Sequence, residues 1–257
     1  MRGGRSRTDM AGAWGVRLTE GRERGDTELT MRMRITVSAT LAVMVVGLLT
    51  SLSGQATQPQ WVSLFDGKTI THWRGFKMTT VPDSWMVEEG AITWTKGAAV
   101  DLVSREQFTS FEFEFDWKVP PGGNSGIMFR VTEDLERTYH SGPEFQILDN
   151  ARHSDGKNPM TSAAANHSLH APIRDLCKPV GEWNQGRLIV DGNHVEHWLN
   201  GVKAVEYDLF SPDWTKRLLA SKFRDMPRYG REPQGHIVLQ EHGSRVQYKN
   251  LRIRKLP

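Results

Sequence analysis

The chain has 257 residues, 38% of them apolar and 25% charged, with 24 Gly, 12 Pro, nine Trp and a single Cys. That composition excludes a collagenous or low-complexity chain and a disordered one, and one Cys excludes an intrachain disulfide scaffold or a zinc ribbon. The formal net charge is +3, but residues 1–60 hold eight Lys and Arg against five Asp and Glu; the remainder is neutral, 25 against 25, which excludes a nucleic-acid surface there.

Residues 1–30 are polar, Gly/Arg-rich and unpatterned, and read as a mis-called start or a disordered extension. Met31–Arg34 is then a short basic stretch, Ile35–Leu49 an apolar run, and Thr50–Ala56 a polar segment of small residues. That order is the layout of a signal peptide, 31–56, cut after Ala56. The apolar run is shorter than the roughly 20 residues of a membrane span, and no Cys follows it to carry a lipid. The expectation is export to the periplasm or the extracellular space, with no stable membrane anchor, and a mature domain over 57–257.

In the mature part, period two dominates, with turn residues between the runs. Strands are expected at Trp61–Phe65, then at Ser84–Glu88 and Ala91–Thr95 around the hairpin turn Glu89-Gly90. Phe111–Lys118 alternates without fault, with Phe111, Phe113, Phe115 and Trp117 on one face and Glu112, Glu114, Asp116 and Lys118 on the other. Strands follow at Asn124–Val131 and Gly142–Asp149. Residues 150–182 lack periodicity, and an aperiodic segment of that length is usually functional or disordered. Arg187–Asp191, His194–Leu199 and Val202–Asp208 form hairpins, the second turning at Asn200-Gly201. Ser211-Pro212 caps one short helix over Trp214–Phe223. Gly235–Glu241 and Arg245–Arg254 close the chain, and the apolar parity of the last strand switches near Asn250, as a bulge would make it. The sum is an all-β jelly-roll sandwich of two curved antiparallel sheets with one short helix.

Several segments together resemble the 3-keto-disaccharide hydrolase domain family. They are Ser63–Lys68 with Trp73, Gly122–Ile127, Gly142–Asn150 with His153, Lys178–Asn184, Gly192–Gly201 and Leu239–Gly243. The resemblance implies a concanavalin-like jelly roll and a secreted carbohydrate-active enzyme that cleaves 3-keto-glycosides made by a separate sugar 3-dehydrogenase. Two stretches depart from the family pattern. His167–Pro172 lacks a Tyr common there, and Gln240-Glu241-His242-Gly243 has Glu where Asp is usual. The alternative function is a non-catalytic, lectin-like carbohydrate-binding module, since the fold does not choose between them. An ordinary glucanase would instead rest on Glu112, Glu114 and Asp116, whose spacing a solvated strand face also gives.

A 3-keto group acidifies the C2 hydrogen, so the glycosidic bond can open by C2 deprotonation, elimination and hydration. That chemistry needs a base, an acid and a stabiliser for the enolate oxygen. Glu144 and Gln146 share one strand face, Arg130 sits opposite Ile127 and Phe129, and Gln240 and His242 sit opposite Ile237 and Leu239. The candidate catalytic residues are therefore Glu144 as base or metal ligand, Arg130 as enolate stabiliser or sugar anchor, and His242 as acid/base. Asn124, Gln146, Asp149, His153, His170 and Gln240 are candidate substrate contacts. Their bland rivals are a structural Glu144–Arg130 ion pair and a His242 that only holds a turn. Trp183 and Trp198 read as packing or rim residues, and Cys177 as a buried small residue. The cofactor is left open: a divalent ion would stabilise an enediolate, but no tight ligand spacing assigns one.

Overall fold

The computed structural model describes residues 60–257; the expected leader and the polar stretch before it lie outside the described residues. The strands follow in chain order as β1 (Val62–Ser63), β2 (Trp73–Gly75), β3 (Trp85–Glu88), β4 (Ala91–Trp94), β5 (Leu102–Phe108), β6 (Phe111–Lys118), β7 (Asn124–Val131), β8 (Glu144–Leu148), β9 (Asn184–Asp191), β10 (His194–Leu199), β11 (Val202–Asp208), β12 (Gly235–Leu239) and β13 (Gln247–Lys255). The helix, α1 (Pro212–Ala220), lies between β11 and β12. One sheet runs β11-β10-β9-β6-β13-β4-β3, with β1 also paired to β13; the other runs β2-β5-β12-β7-β8. The strand pairs are antiparallel.

The aromatic face of β6 meets Ile127 and Phe129 of β7 and Phe145 and Ile147 of β8 in one buried core, as its alternation requires. Phe115 and Phe145 pack edge to face at 5.3 Å. The hairpin turns hold as expected: Glu89 and Gly90, and Asn200 and Gly201, all take positive φ, the backbone that two-residue hairpins need. The expected bulge is at Asn250, whose φ is 53° and where the β13–β6 register shifts between Lys249 and Arg252. The helix starts where Ser211 accepts a hydrogen bond from Trp214 N at 3.1 Å. It stops at Ala220, short of Phe223, because Ser221 leaves helical backbone and its hydroxyl accepts from Phe223 N.

Two strands lie where no strand is expected from the sequence. The β5 run buries both ends and exposes Arg105, Glu106 and Gln107 in its middle, so it shows no period two. The three residues of β2 are too few to show a period. Among the described residues, no helix is long and apolar enough to cross a membrane.

A second bulge interrupts β7. His236 pairs with Val131 but Val238 with Met128, so Phe129 and Arg130 together stand opposite Ile237. Arg130 has φ 54°. The extra residue breaks the strict alternation assumed for that strand.

Candidate active site

The polar face of the five-stranded sheet carries a cavity of about 520 Å³. Its floor is a transverse row. Gln240 N donates to Gly126 O at 2.9 Å, and Gly126 stands opposite Gln146 in the β7–β8 register. Glu144 lies one step along β8, and its carboxyl leans over Gly126. A Cβ built on Gly126 would lie 2.9 Å from the Glu144 Cδ and closer still to Oε1. The absent side chain is what leaves room for the acid.

Glu144 is buried, and burial pushes its carboxyl up to about 8; the Lys222 charge offsets this in part, while Asp101 and Asp155 add to it. The carboxyl is therefore mostly protonated at neutral pH. Asp101 forms one wall. It accepts from Thr138 Oγ1 at 2.6 Å and from Glu241 N at 2.8 Å, and burial raises its pKa as well. His167 forms another. Its backbone N donates to Glu144 O at 3.0 Å, so the long segment after β8 is tied to the same strand as the acid. Lys222 Nζ lies 2.8 Å from His167 Nε2. An ammonium only donates, so Nε2 accepts and the neutral ring carries its proton on Nδ1. Burial and the Lys222 charge depress His167 to about 3, so the ring stays neutral. His242, Asp155, Glu136, Arg137 and Glu241 add to the polar lining, and Phe76, Phe223 and Met226 are among its apolar residues.

Four buried polar atoms of lining residues have no partner among the described residues: Asn124 Oδ1, Gln146 Oε1, Gln240 Oε1 and His167 Nδ1. Native structures leave few such groups unpaired. Three acceptors and one donor around a carboxylic acid suit a ligand rich in hydroxyl and carbonyl groups.

The structure thus gathers Glu144, His242, Asn124, Gln146 and Gln240 around one cavity, as the sequence reading expects. His153 stands behind Asn124, its Nε2 3.5 Å from the carboxamide and its Nδ1 accepting from Asp155 N. Three expectations are corrected. Arg130 is not in the cavity: the β7 bulge turns it to the end of the sandwich, where it donates to Gly192 O and to Thr109 O. It is no ion-pair partner of Glu144 either. Asp149 clamps a turn by accepting from Gly122 N at 2.7 Å and Ala151 N at 3.1 Å. His170 packs flat on Tyr207 at 4.7 Å, and burial lowers it to about 4.

Arg130→Met should leave turnover within a few-fold of the parent. It should lower stability by about 1–3 kcal/mol, because two carbonyls lose their buried donor. Thermal unfolding and kcat/KM measured on the same preparation check this.

Asp101, His167 and Lys222 are absent from the sequence-derived candidates. Asp101 precedes a strand without alternation, His167 lies in the aperiodic segment, and Lys222 follows a helix end; none belongs to a motif. For a metal, the cavity offers scattered oxygens. Among the described residues, the close grouping of His and carboxylate ligand atoms is His194, Glu196 and Glu206, on the β10–β11 hairpin and away from the cavity.

Comparison with known proteins gives the family. Residues 60–254 match the family described as 3-keto-alpha-glucoside-1,2-lyase-like domain. A Bacteroides thetaiotaomicron protein named 3-keto-disaccharide hydrolase is 34% identical over 227 residues, covering 76% of this chain and 78% of its own. A crystal structure of a Parabacteroides distasonis protein described as a glycosyl hydrolase superposes with a TM-score of 0.72 at 32% identity, covering 77% of this chain and 94% of that one. A second such structure from that organism, at 24% identity and TM-score 0.61, shares the fold. The chain is a carbohydrate hydrolase and belongs to the 3-keto-alpha-glucoside-1,2-lyase-like domain family.

Proposed function

We propose that the chain cleaves 3-keto-glycosides by elimination and hydration, with Glu144 as the acid and His242 as the base. The observation that carries this reading is a carboxyl held protonated at neutral pH on the floor of a polar cavity. An ordinary glycosidase pairs such an acid with an ionised carboxylate as nucleophile or base. Here the neighbouring carboxyl, half-buried Asp101, is also raised. The cavity also holds a cation and a neutral N–H donor, Lys222 and His167 Nδ1, which suit an oxygen that becomes negative.

In the first half, His242 takes the C2 proton and the electron pair forms the enolate, whose O3 charge Lys222 and His167 Nδ1–H stabilise. The enolate then expels the C1 substituent, which leaves with the bonding pair and takes the Glu144 proton. In the second half, water adds to C1 of the enone and gives its proton to the Glu144 carboxylate. His242, its proton exchanged with solvent in the meantime, donates one proton to C2. Atoms balance as hydrolysis, and both groups end as they began. The substrate arrives from an oxidation at C3 of the glycoside, so a sugar 3-dehydrogenase is the reaction class upstream. Export to the periplasm or beyond fits a glycan-degrading role.

The test pairs a chromogenic 3-keto-glucoside with its unoxidised parent. Release from the keto substrate alone is expected, with exchange of the C2 hydrogen for solvent deuterium. Release from the parent at a comparable rate, or cleavage without exchange, overturns the reading. The pH profile follows from the acid: kcat/KM should fall as pH rises through about 8, where the free Glu144 ionises. A rise through that range would make Glu144 the base instead.

A further inference from the structure

The eight-stranded sheet carries its own groove on the side away from the catalytic cavity, and at about 800 Å³ it is the larger of the two. The register places one residue per strand across it. Trp198 of β10 stands opposite Arg187 of β9, Arg187 opposite Glu114 of β6, and Glu114 opposite Arg252 of β13. Arg252 is in turn opposite Ser63 of β1, and Trp61, two residues earlier, lies over the Arg252 and Arg254 guanidinium groups at 4.7 and 5.0 Å. Arg187 lies 5.5 Å from the Trp198 ring. An indole thus stands at each end of a polar floor. Four inter-strand steps of about 4.8 Å give a span of roughly 19 Å, the reach of a short oligosaccharide rather than a single sugar.

The floor is charge-balanced. Arg187 and Arg252 face Glu114 and Asp116, and within it Glu114 pairs with Arg252 and Asp116 with Asn250. Glu112, buried beside the row, holds both Arg187 and Arg254. An anionic ligand would find no net attraction there. A neutral, hydroxyl-rich one would find fixed donors and acceptors between two flat apolar rings. Arg187 Nε is buried and, among the described residues, without a partner, so one donor next to Trp198 is unspent.

We infer that this groove is a second carbohydrate site, non-catalytic, that binds a neutral oligosaccharide chain between Trp61 and Trp198. The site stands apart from the proposed chemistry: the keto-sugar reading fails in a turnover assay, this one in a binding assay. The groove explains the strand face whose carboxylates read as a glucanase signature. Those carboxylates serve to hold arginines in place.

The experiment is calorimetric titration of the protein with cellotetraose, maltotetraose, laminaritetraose and xylotetraose, with tetragalacturonate as the anionic counterpart. At least one neutral tetrasaccharide should bind. Trp61→Ala and Trp198→Ala should each weaken that binding at least tenfold, and kcat/KM for a small chromogenic 3-keto-glucoside should stay within twofold. His242→Ala should leave the binding unchanged. Should Trp198→Ala fail to fold, Trp61→Ala at the sheet's margin and Arg187→Gln carry the comparison. The inference is overturned if no neutral tetrasaccharide binds, if binding persists in the tryptophan variants, if it is lost in His242→Ala, or if tetragalacturonate binds more tightly than the neutral panel.

Discussion

Glu144→Gln should abolish turnover and at the same time make the protein more stable. The loss of activity follows from removing the only atom of that side chain that can give up a proton, and a fall of 10²–10⁴-fold is the usual size for a general acid. The gain in stability follows from linkage. The folded carboxyl titrates at about 8 and the unfolded one at the ordinary 4.5 of a glutamate. Below pH 4.5 both states hold the proton and nothing is lost. Between 4.5 and 8 the unfolded state releases its proton while the folded one keeps it, so stability falls as pH rises. At pH 7 the deficit is about 3 kcal/mol, and above 8 it approaches about 5 kcal/mol. Glutamine is close in shape and does not ionise, so the variant escapes that cost. Chemical denaturation of both proteins from pH 4 to 9 should give curves that meet at the acid end and diverge upward. Parallel curves would mean that the carboxyl is not held protonated.

Gly126→Ala should cripple the enzyme while costing little stability. The added methyl would enter the space where the Glu144 carboxyl now rests, with Cγ and Cδ each 2.9 Å from the new carbon. The Glu144 side chain must move, because the nearest atoms are all its own and the new methyl is fixed to β-strand backbone. Displacement of a catalytic group by about 1 Å can cost 10²-fold, and that is the expected fall in kcat. The floor row beneath would survive, since Gly126 contributes its backbone O to Gln240 N. If kcat is unchanged while the melting temperature drops sharply, Gly126 is a packing residue and the carboxyl sits elsewhere.

Much of this site is legible from strand periodicity, and the rest fails for definite reasons. Glu144, Gln146 and Gln240 share a face because the alternation holds along β8 and on from β12, where Ile237 and Leu239 enter one core and Val238 the other. Arg130 is misplaced by the same rule: one inserted residue in β7 reverses the parity, and no turn residue marks it in the sequence. The bulge at Asn250 is readable because the apolar residues themselves change parity there, which those around Arg130 do not reveal. Asp101, His167 and Lys222 come from connections of irregular backbone, where side-chain direction has no period to follow. The jelly roll itself is readable because aromatic alternation in β6 needs a second layer to cover it.

The backbone bond from His167 to Glu144 is one of three that join the segment after β8 to that strand. Gln146 N donates to Ala165 O at 3.0 Å, and Ala164 N donates to Gln146 O at 2.8 Å. β8 is the last strand of its sheet. An uncovered edge strand offers open amides and carbonyls to any other chain. The segment that carries His167 therefore also acts as the sheet's selvedge. A proteolytic nick that frees it would both disassemble the catalytic wall and bare a pairing edge, so inactivation and self-association would arrive together as a single event.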